Sequence, residues 1–209
     1  MSMEIIPVKF ADSFLREDMV MEGGSRDKEH PIRFFVYLIR TEDRMILVDA
    51  GCETMPGFDM RNFITPVKAL EAIGVGAEVI DDLIITHAHH DHIECVKDFP
   101  NATVHIQKDE LERGRKYIPQ GFAINAFEES FSLCKGVEIK QIGGHSRGSC
   151  IVQVEDGERT VIIAGDECYK RFCLEGGIAV GSSYDLEKSR RFVKTYRDPK
   201  YTVLLMHDD

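Results

Sequence analysis

Basic residues are in short supply in this chain. Lysine and arginine number 26 against 36 aspartates and glutamates over 209 residues, a formal net charge of −10. Nucleic acid and anionic membrane are poor partners for it, because both are bound through a basic footprint. Long apolar runs are also missing: nothing approaches the ~18 consecutive apolar residues of a membrane-spanning helix. The opening Met1-Ser2-Met3-Glu4-Ile5-Ile6-Pro7 has neither the basic n-region nor the apolar h-region of a secretory signal, which points to a cytoplasmic protein. Six cysteines (Cys52, Cys95, Cys134, Cys150, Cys168, Cys173) form no C-x-x-C pair. Without a secretory signal they read as reduced thiols and small buried hydrophobes, not as a disulfide framework. Internal repeats and low-complexity linkers are absent, so residues 1–209 read as a single domain. An apolar share of 43% is enough to bury a sizeable core.

Histidine, by contrast, is concentrated. Four of the eight histidines fall in Thr86-His87-Ala88-His89-His90-Asp91-His92, directly after the apolar run Leu83-Ile84-Ile85. A short β-rich run that ends in such a hexapeptide reads as a strand delivering its loop to a site. Imidazole and carboxylate are protein ligands for zinc-like ions. Side chains spaced i, i+2, i+4 and i+5 cannot all meet one ion from a regular strand or helix. On a strand-to-helix turn they divide between two neighbouring ions, which suggests a dinuclear centre.

The rest of the chain reads as strands and helix, then strands and helix again. Residues 4–10 and 13–21 look like opening strands, and Glu22 to Pro31 a polar loop holding a solvated His30. Ile32–Arg40 and Met45–Val48 form a hairpin that closes on Asp49-Ala50-Gly51, where the carboxylate is either turn chemistry or support for a metal site. Helices are expected over Phe63–Ile73, Ile93–Phe99, Gln107–Tyr117 and Asp185–Tyr196. Further strands are expected over Thr103–Ile106, Val137–Ile142, Cys150–Val154, Arg159–Ala164 and Tyr201–Met206. His105 alternates with apolar neighbours, as a satisfied core or edge histidine does. Loops Cys52–Asn62 and Ile118–Glu129, the latter irregular, are candidate walls of a pocket. His145 sits among Gly143-Gly144 and Gly148, which allow close backbone approach. Asp166 and His207 each follow a strand end, where loops on a rigid scaffold carry function.

These motifs, T-H-A-H-H-D-H, G-G-H-S-R-G, A-G-D and a final M-H-D, in that order behind D-A-G, resemble the metallo-β-lactamase superfamily of hydrolases. The resemblance implies an α/β (α+β) fold, a four-layer αββα sandwich of two mixed β-sheets. It implies two divalent metal ions, one on His87, His89 and His145, the other on Asp91, His92 and His207, with Asp166 bridging them. Zinc is the default, and iron, manganese or cobalt also suit nitrogen and carboxylate ligands. An aspartate at Asp166, where many β-lactamases place cysteine, argues against penicillin-type chemistry. His89 stands where the flavo-diiron branch has glutamate. The chain ends two residues after the last ligand, without the helical domain of glyoxalase II, and no basic arm suggests a nuclease.

The N-acyl homoserine lactonase group is most similar, through Asp166-Glu167-Cys168-Tyr169, Phe99-Pro100-Asn101-Ala102 and Ile106-Gln107-Lys108. Departures fall at His90, Glu94-Cys95 and Arg147. His90 reads equally as solvent-facing filler or as a partner of the ligands. The resemblance implies an enzyme acting on a small-molecule lactone or related ester by attack of a metal-bridging hydroxide, with Tyr169 polarising the carbonyl and Asp91 delivering the proton. A thioesterase or phosphodiesterase on the same centre, or a non-catalytic metal-binding protein, are the alternatives.

Overall fold

Apolar runs without polar interruption belong to strands buried on both faces. The computed structural model, which describes residues 3–157 and 159–208, builds such strands first. β1 (Glu4–Arg16), β2 (Glu29–Arg40), β3 (Met45–Val48), β4 (Asp82–Ile85), β5 (Thr103–Gln107) and β6 (Ile124–Phe127) form a sheet in that order. β2 and β3 are antiparallel, with Tyr37 opposite Val48 and Arg40 opposite Met45. β3 to β6 are parallel throughout. Ile46, Leu47, Val48, Leu83, Ile84 and Ile85 are fully buried. β7 (Ser130–Cys134), β8 (Val137–Gln141), β9 (Cys150–Asp156), β10 (Arg159–Ile163) and β11 (Tyr201–Leu204) form a second sheet in the order β11-β10-β9-β8-β7. It is antiparallel except for the parallel pair β10 and β11, so both sheets are mixed. The flanking helices are α1 (Glu17–Val20), α2 (Pro66–Glu71), α3 (His90–Ile93), α4 (Lys108–Gly114), α5 (Arg171–Gly176) and α6 (Leu186–Tyr196).

The chain divides into two compact units, Phe34–Glu128 with the stretch up to Asp12, and Ser13–Arg33 with the stretch from Glu129 onward. In the first, parallel pairing sends the C-terminal ends of β3, β4 and β5 to one edge. Asp49, the Thr86–His92 segment and the start of α4 therefore emerge together. In the second, β9 is antiparallel to both β8 and β10, so β8, β10 and β11 share a direction. The segments carrying His145, Asp166 and His207 leave by one end of that sheet. No helix among the described residues is long and apolar enough to cross a membrane.

Several boundaries differ from expectation. The two opening strands are one that ends at Arg16, residues 17–20 of the second being helix α1 instead, and β2 begins three residues before Ile32, so His30 lies on a strand. Its Nε2 is 3.1 Å from Glu17 Oε1 and its ring packs on Phe172, so it is not a solvated loop histidine. The helix expected from Phe63 starts at Pro66, because Thr65 caps it by accepting from Lys68 N and proline is preformed for the first helical position. The helix expected over 93–99 is instead α3, begun inside the histidine motif, followed by a 3₁₀ stretch Glu94–Asp98. Residues 124–127, read as irregular, pair with β5 as strand β6, a case of tertiary pairing overriding composition. β7 and α5 were not foreseen.

Candidate metal centre

β4 runs out at Ile85, and Thr86–His89 turns the chain into α3, with His89 as its N-cap residue. The turn is held from outside by carboxylates. Asp49, fully buried and in the left-handed region at φ 62°, accepts from Thr86 N at 2.7 Å, Thr86 Oγ1 at 2.8 Å and His92 Nδ1 at 2.7 Å. Burial pushes its carboxyl up, while the His92 and Thr86 hydrogen bonds pull it back. Of the two readings of Asp49, support for the site is the one the geometry selects. Glu110, also fully buried, accepts from Ala88 N at 2.8 Å. Because Thr86 Oγ1 donates to Asp49, it accepts from His87 Nδ1 at 3.2 Å, leaving His87 Nε2 to face His89 Nδ1 at 2.9 Å.

The second sheet contributes the later candidate ligands. Asp166 Oδ2 lies 3.5 Å from His145 Nε2, while Asp166 Oδ1 lies 3.1 Å from His207 Nε2. Tyr169, buried, donates its hydroxyl to Asp166 Oδ2 at 3.0 Å, and Ser182 Oγ stands 3.2 Å from the same hydroxyl. His207 Nδ1 donates to the Arg33 carbonyl at 2.9 Å. Since that acceptor requires the proton on Nδ1, Nε2 is the ring nitrogen left facing Asp166.

One ligand atom each from His87, His89, His145 and Asp166 falls within 4.8 Å of the others, and likewise for Asp91, His92 and His207. All seven residues singled out as ligands are thus gathered in two His/Asp groups, an arrangement consistent with a dinuclear centre. The donor chemistry fits cations. His207 Nε2 and a carboxylate oxygen 3.1 Å away are both donor atoms for a cation placed between them. His92 repeats the pattern, with Nδ1 committed to Asp49 and Nε2 3.5 Å from Asp91 Oδ2. This commitment of the far ring nitrogen is how proteins orient metal-binding histidines. Neither group contains a cysteine, and burial pushes the thiol of Cys173 up to about 11 and that of Cys168 to about 12, with Cys52 and Cys95 higher still.

The model of the Metallo-beta-lactamase superfamily matches residues 35–207. The chain belongs to the metallo-β-lactamase superfamily. Its two mixed sheets and flanking helices are that fold, and it is a metallo-hydrolase with a His/Asp metal-site cluster. A probable metallo-hydrolase of Mycobacterium tuberculosis is 25% identical, the match covering 83% of this chain and 74% of the relative. Among solved structures, a variant of B. thuringiensis AiiA with N-decanoyl-L-homoserine bound at its active site superposes with a TM-score of 0.84 at 19% identity, over 100% of this chain and 94% of that one. A probable metal-dependent hydrolase from Staphylococcus aureus gives 0.84 at 18% identity, over 99% and 90%.

Within this superfamily member, His90 belongs to neither ligand group. Its Nε2 meets Thr54 Oγ1 at 3.2 Å and Glu94 Oε2 at 3.1 Å, and its Nδ1 meets Tyr117 Oη at 3.1 Å. Glu94 in turn accepts from Glu53 N at 2.8 Å and Thr54 N at 3.1 Å, so His90 and Glu94 tie down the start of the 52–62 loop. His105 is a satisfied core histidine, 2.8 Å from Asp82 Oδ1. Two buried carboxylates escaped sequence reasoning. Glu110 lies in a charged helix whose other acids face solvent, and nothing in its spacing marks it. Glu167 had a signal, a second acid beside Asp166 in a strand-end turn amid apolar residues. Burial pushes its carboxyl up to about 7, against hydrogen bonds from Ser149, His145 and Gly144.

Proposed function

We propose that this chain is a lactonase, hydrolysing the ring ester of an acyl lactone of the N-acyl homoserine type on two divalent cations, zinc by default. His87, His89 and His145 would hold one, Asp91, His92 and His207 the other, and Asp166 both. Bound there, the cations supply a water of lowered pKa and polarise the ester carbonyl. The observation that carries the lactone reading is Tyr169, whose hydroxyl lies 3.0 Å from Asp166 Oδ2 at the D-x-x-Y spacing of the lactonase group. The active-site ligand of the AiiA variant, an acyl homoserine, supports the same substrate class.

The chain's own residues then divide the work. Tyr169 donates its hydroxyl hydrogen to the carbonyl oxygen as that oxygen becomes an oxyanion, with Ser182 Oγ behind it. Asp91 carries the proton from the attacking water to the ring alkoxide as the ester C–O bond breaks. Water is thus added across one bond, and the product is an open hydroxy acid. His90, Glu94 and Thr54 hold the loop that bears Met55, Phe58 and Met60 and play no part in the proton transfers.

The test is a short substrate panel. Purified protein with its metals counted is assayed by proton release against acyl lactones, a thioester, a phosphodiester and a β-lactam. Preferred turnover of acyl lactones supports the proposal. Faster turnover of the thioester or phosphodiester overturns it and assigns the centre to that chemistry; silence on all four with metals bound favours a non-catalytic protein.

A further inference from the structure

The side chain of Glu167 is hydrogen-bonded to the loop that follows β8. Its Oε1 accepts from Ser149 Oγ at 2.5 Å, Gly144 N at 3.2 Å and His145 N at 3.4 Å. The residue is fully buried, and its Oε2 has no hydrogen-bond partner among the described residues. A buried carboxyl with an oxygen left over is costly, and in native folds such a group calls for an explanation. The space around it is also cleared for it. A Cβ on Gly144 would stand 2.3 Å from Glu167 Oε2 and 2.6 Å from Ser189 Oγ. Gly144 has no positive φ, so its lack of a side chain makes room for the carboxyl.

We infer that Glu167 is a positioning residue that joins the His145 loop to the Asp166 turn and so sets the spacing of those two ligands. One covalent step separates Glu167 from Asp166, and one hydrogen bond separates it from the backbone of His145. The 3.5 Å between His145 Nε2 and Asp166 Oδ2 is therefore spanned by a short closed path of chain, carboxyl and amide. Ser149 closes the path a second time, since it ends the same loop. Neither His87 nor His89 is touched by it, and Asp91 and His92 hang instead from α3 and Asp49. Losing the Glu167 acceptor thus affects the cation held by His145 and Asp166 before it affects the other. The inference rests on the two groups holding cations, and not on which ester is opened.

The test is Co(II) titration of metal-depleted protein, read by the visible d–d spectrum and by competition with a chelator, with thermal unfolding of the metal-free protein as control. Glu167→Met removes the acceptor at similar volume, and Glu167→Gln keeps an oxygen where Oε1 stands. In Glu167→Met, one of the two Co(II) ions is expected to bind about 10–100-fold more weakly with an altered spectrum, the other to be weakened far less, and Glu167→Gln restores most of the loss. Ser149→Ala, a milder change that keeps the carboxyl, is expected to weaken the same ion severalfold and decides the matter if Glu167→Met does not fold. Wild-type affinities and spectrum in Ser149→Ala, or in a folded Glu167→Met, overturn the inference. So does equal weakening of both ions in step with a lowered unfolding temperature of the metal-free protein, which assigns Glu167 to general stability. Wild-type protein that takes up no Co(II) refutes the metal reading instead.

Discussion

Asp49 reaches across 43 positions of sequence to His92, its Oδ2 accepting from Nδ1 at 2.7 Å. The same oxygen takes the Thr86 hydroxyl at 2.8 Å. One buried carboxyl thereby fixes both ends of the Thr86–His92 segment and commits His92 Nε2 to the ligand side. Asp49→Asn keeps the shape but turns one acceptor into a donor that opposes the Nδ1 hydrogen. Metal affinity is expected to fall about 10–100-fold, the usual cost of losing a partner behind a metal-binding histidine. Competition against a chelator of known strength measures it; unchanged affinity would mean that His92 needs no help to point inward.

Tyr169 donates to a residue assigned as a ligand, so two roles have to be separated. As an oxyanion donor it acts in the transition state alone, and Tyr169→Phe should lower kcat about 10²–10³-fold with metal content unchanged. As an orienter of Asp166 it would act on the ground state, and the variant would lose metal. The first outcome is expected, because Asp166 is buried and carries contacts to His145 and His207 besides the tyrosine. Metal analysis of the same preparations used for kinetics distinguishes them.

The candidate ligands were legible in the sequence because metal chemistry restricts residue type and because each follows a strand that periodicity reveals. What holds them in place was less so. Asp49 could be seen but not assigned, since an aspartate before glycine is also ordinary turn chemistry. Glu110 and Glu167 carry charges that in sequence look solvated, and only the parallel order of β3, β4 and β5 or the turn after β10 buries them. The strands read best are those with apolar alternation or long apolar runs. β6 was missed because Ile124-Asn125-Ala126-Phe127 becomes a strand only through its pairing with β5.

Asp82 offers a pH signature remote from the metal centre. Burial opposes its charge, but hydrogen bonds from His105 Nε2 at 2.8 Å and Arg44 Nη1 at 2.7 Å outweigh it and hold the carboxyl below its ordinary value. A carboxyl depressed in the folded state contributes stability above the unfolded value, and that contribution is lost as pH falls through the folded one. Asp82→Asn is therefore expected to cost about 2 kcal/mol at pH 7. The gap between the two proteins should stay flat down to about pH 4 and close only below it. Urea unfolding of both proteins in chelator across that range checks it, and a gap that widens on acidification contradicts the assignment.

Metal removal should be visible as lost stability, and His207 supplies the reason. With its Nδ1 hydrogen on the Arg33 carbonyl, Nε2 faces Asp166 Oδ1 at 3.1 Å, an opposed pair of donor atoms that a cation between them would join. Ligand that binds only the folded state at a thousandfold excess over Kd adds about 4 kcal/mol. At roughly 2–4 °C per kcal/mol for a chain of this size, chelator should lower Tm by about 8–16 °C. In His207→Ala the metal-free protein no longer carries the opposed pair, while one group of ligands is incomplete. Its Tm should therefore fall by less than half as much on chelation. An equal chelator shift in both proteins would remove His207 from the ligand set, and no shift in the wild type would remove the cations from the fold's stability altogether.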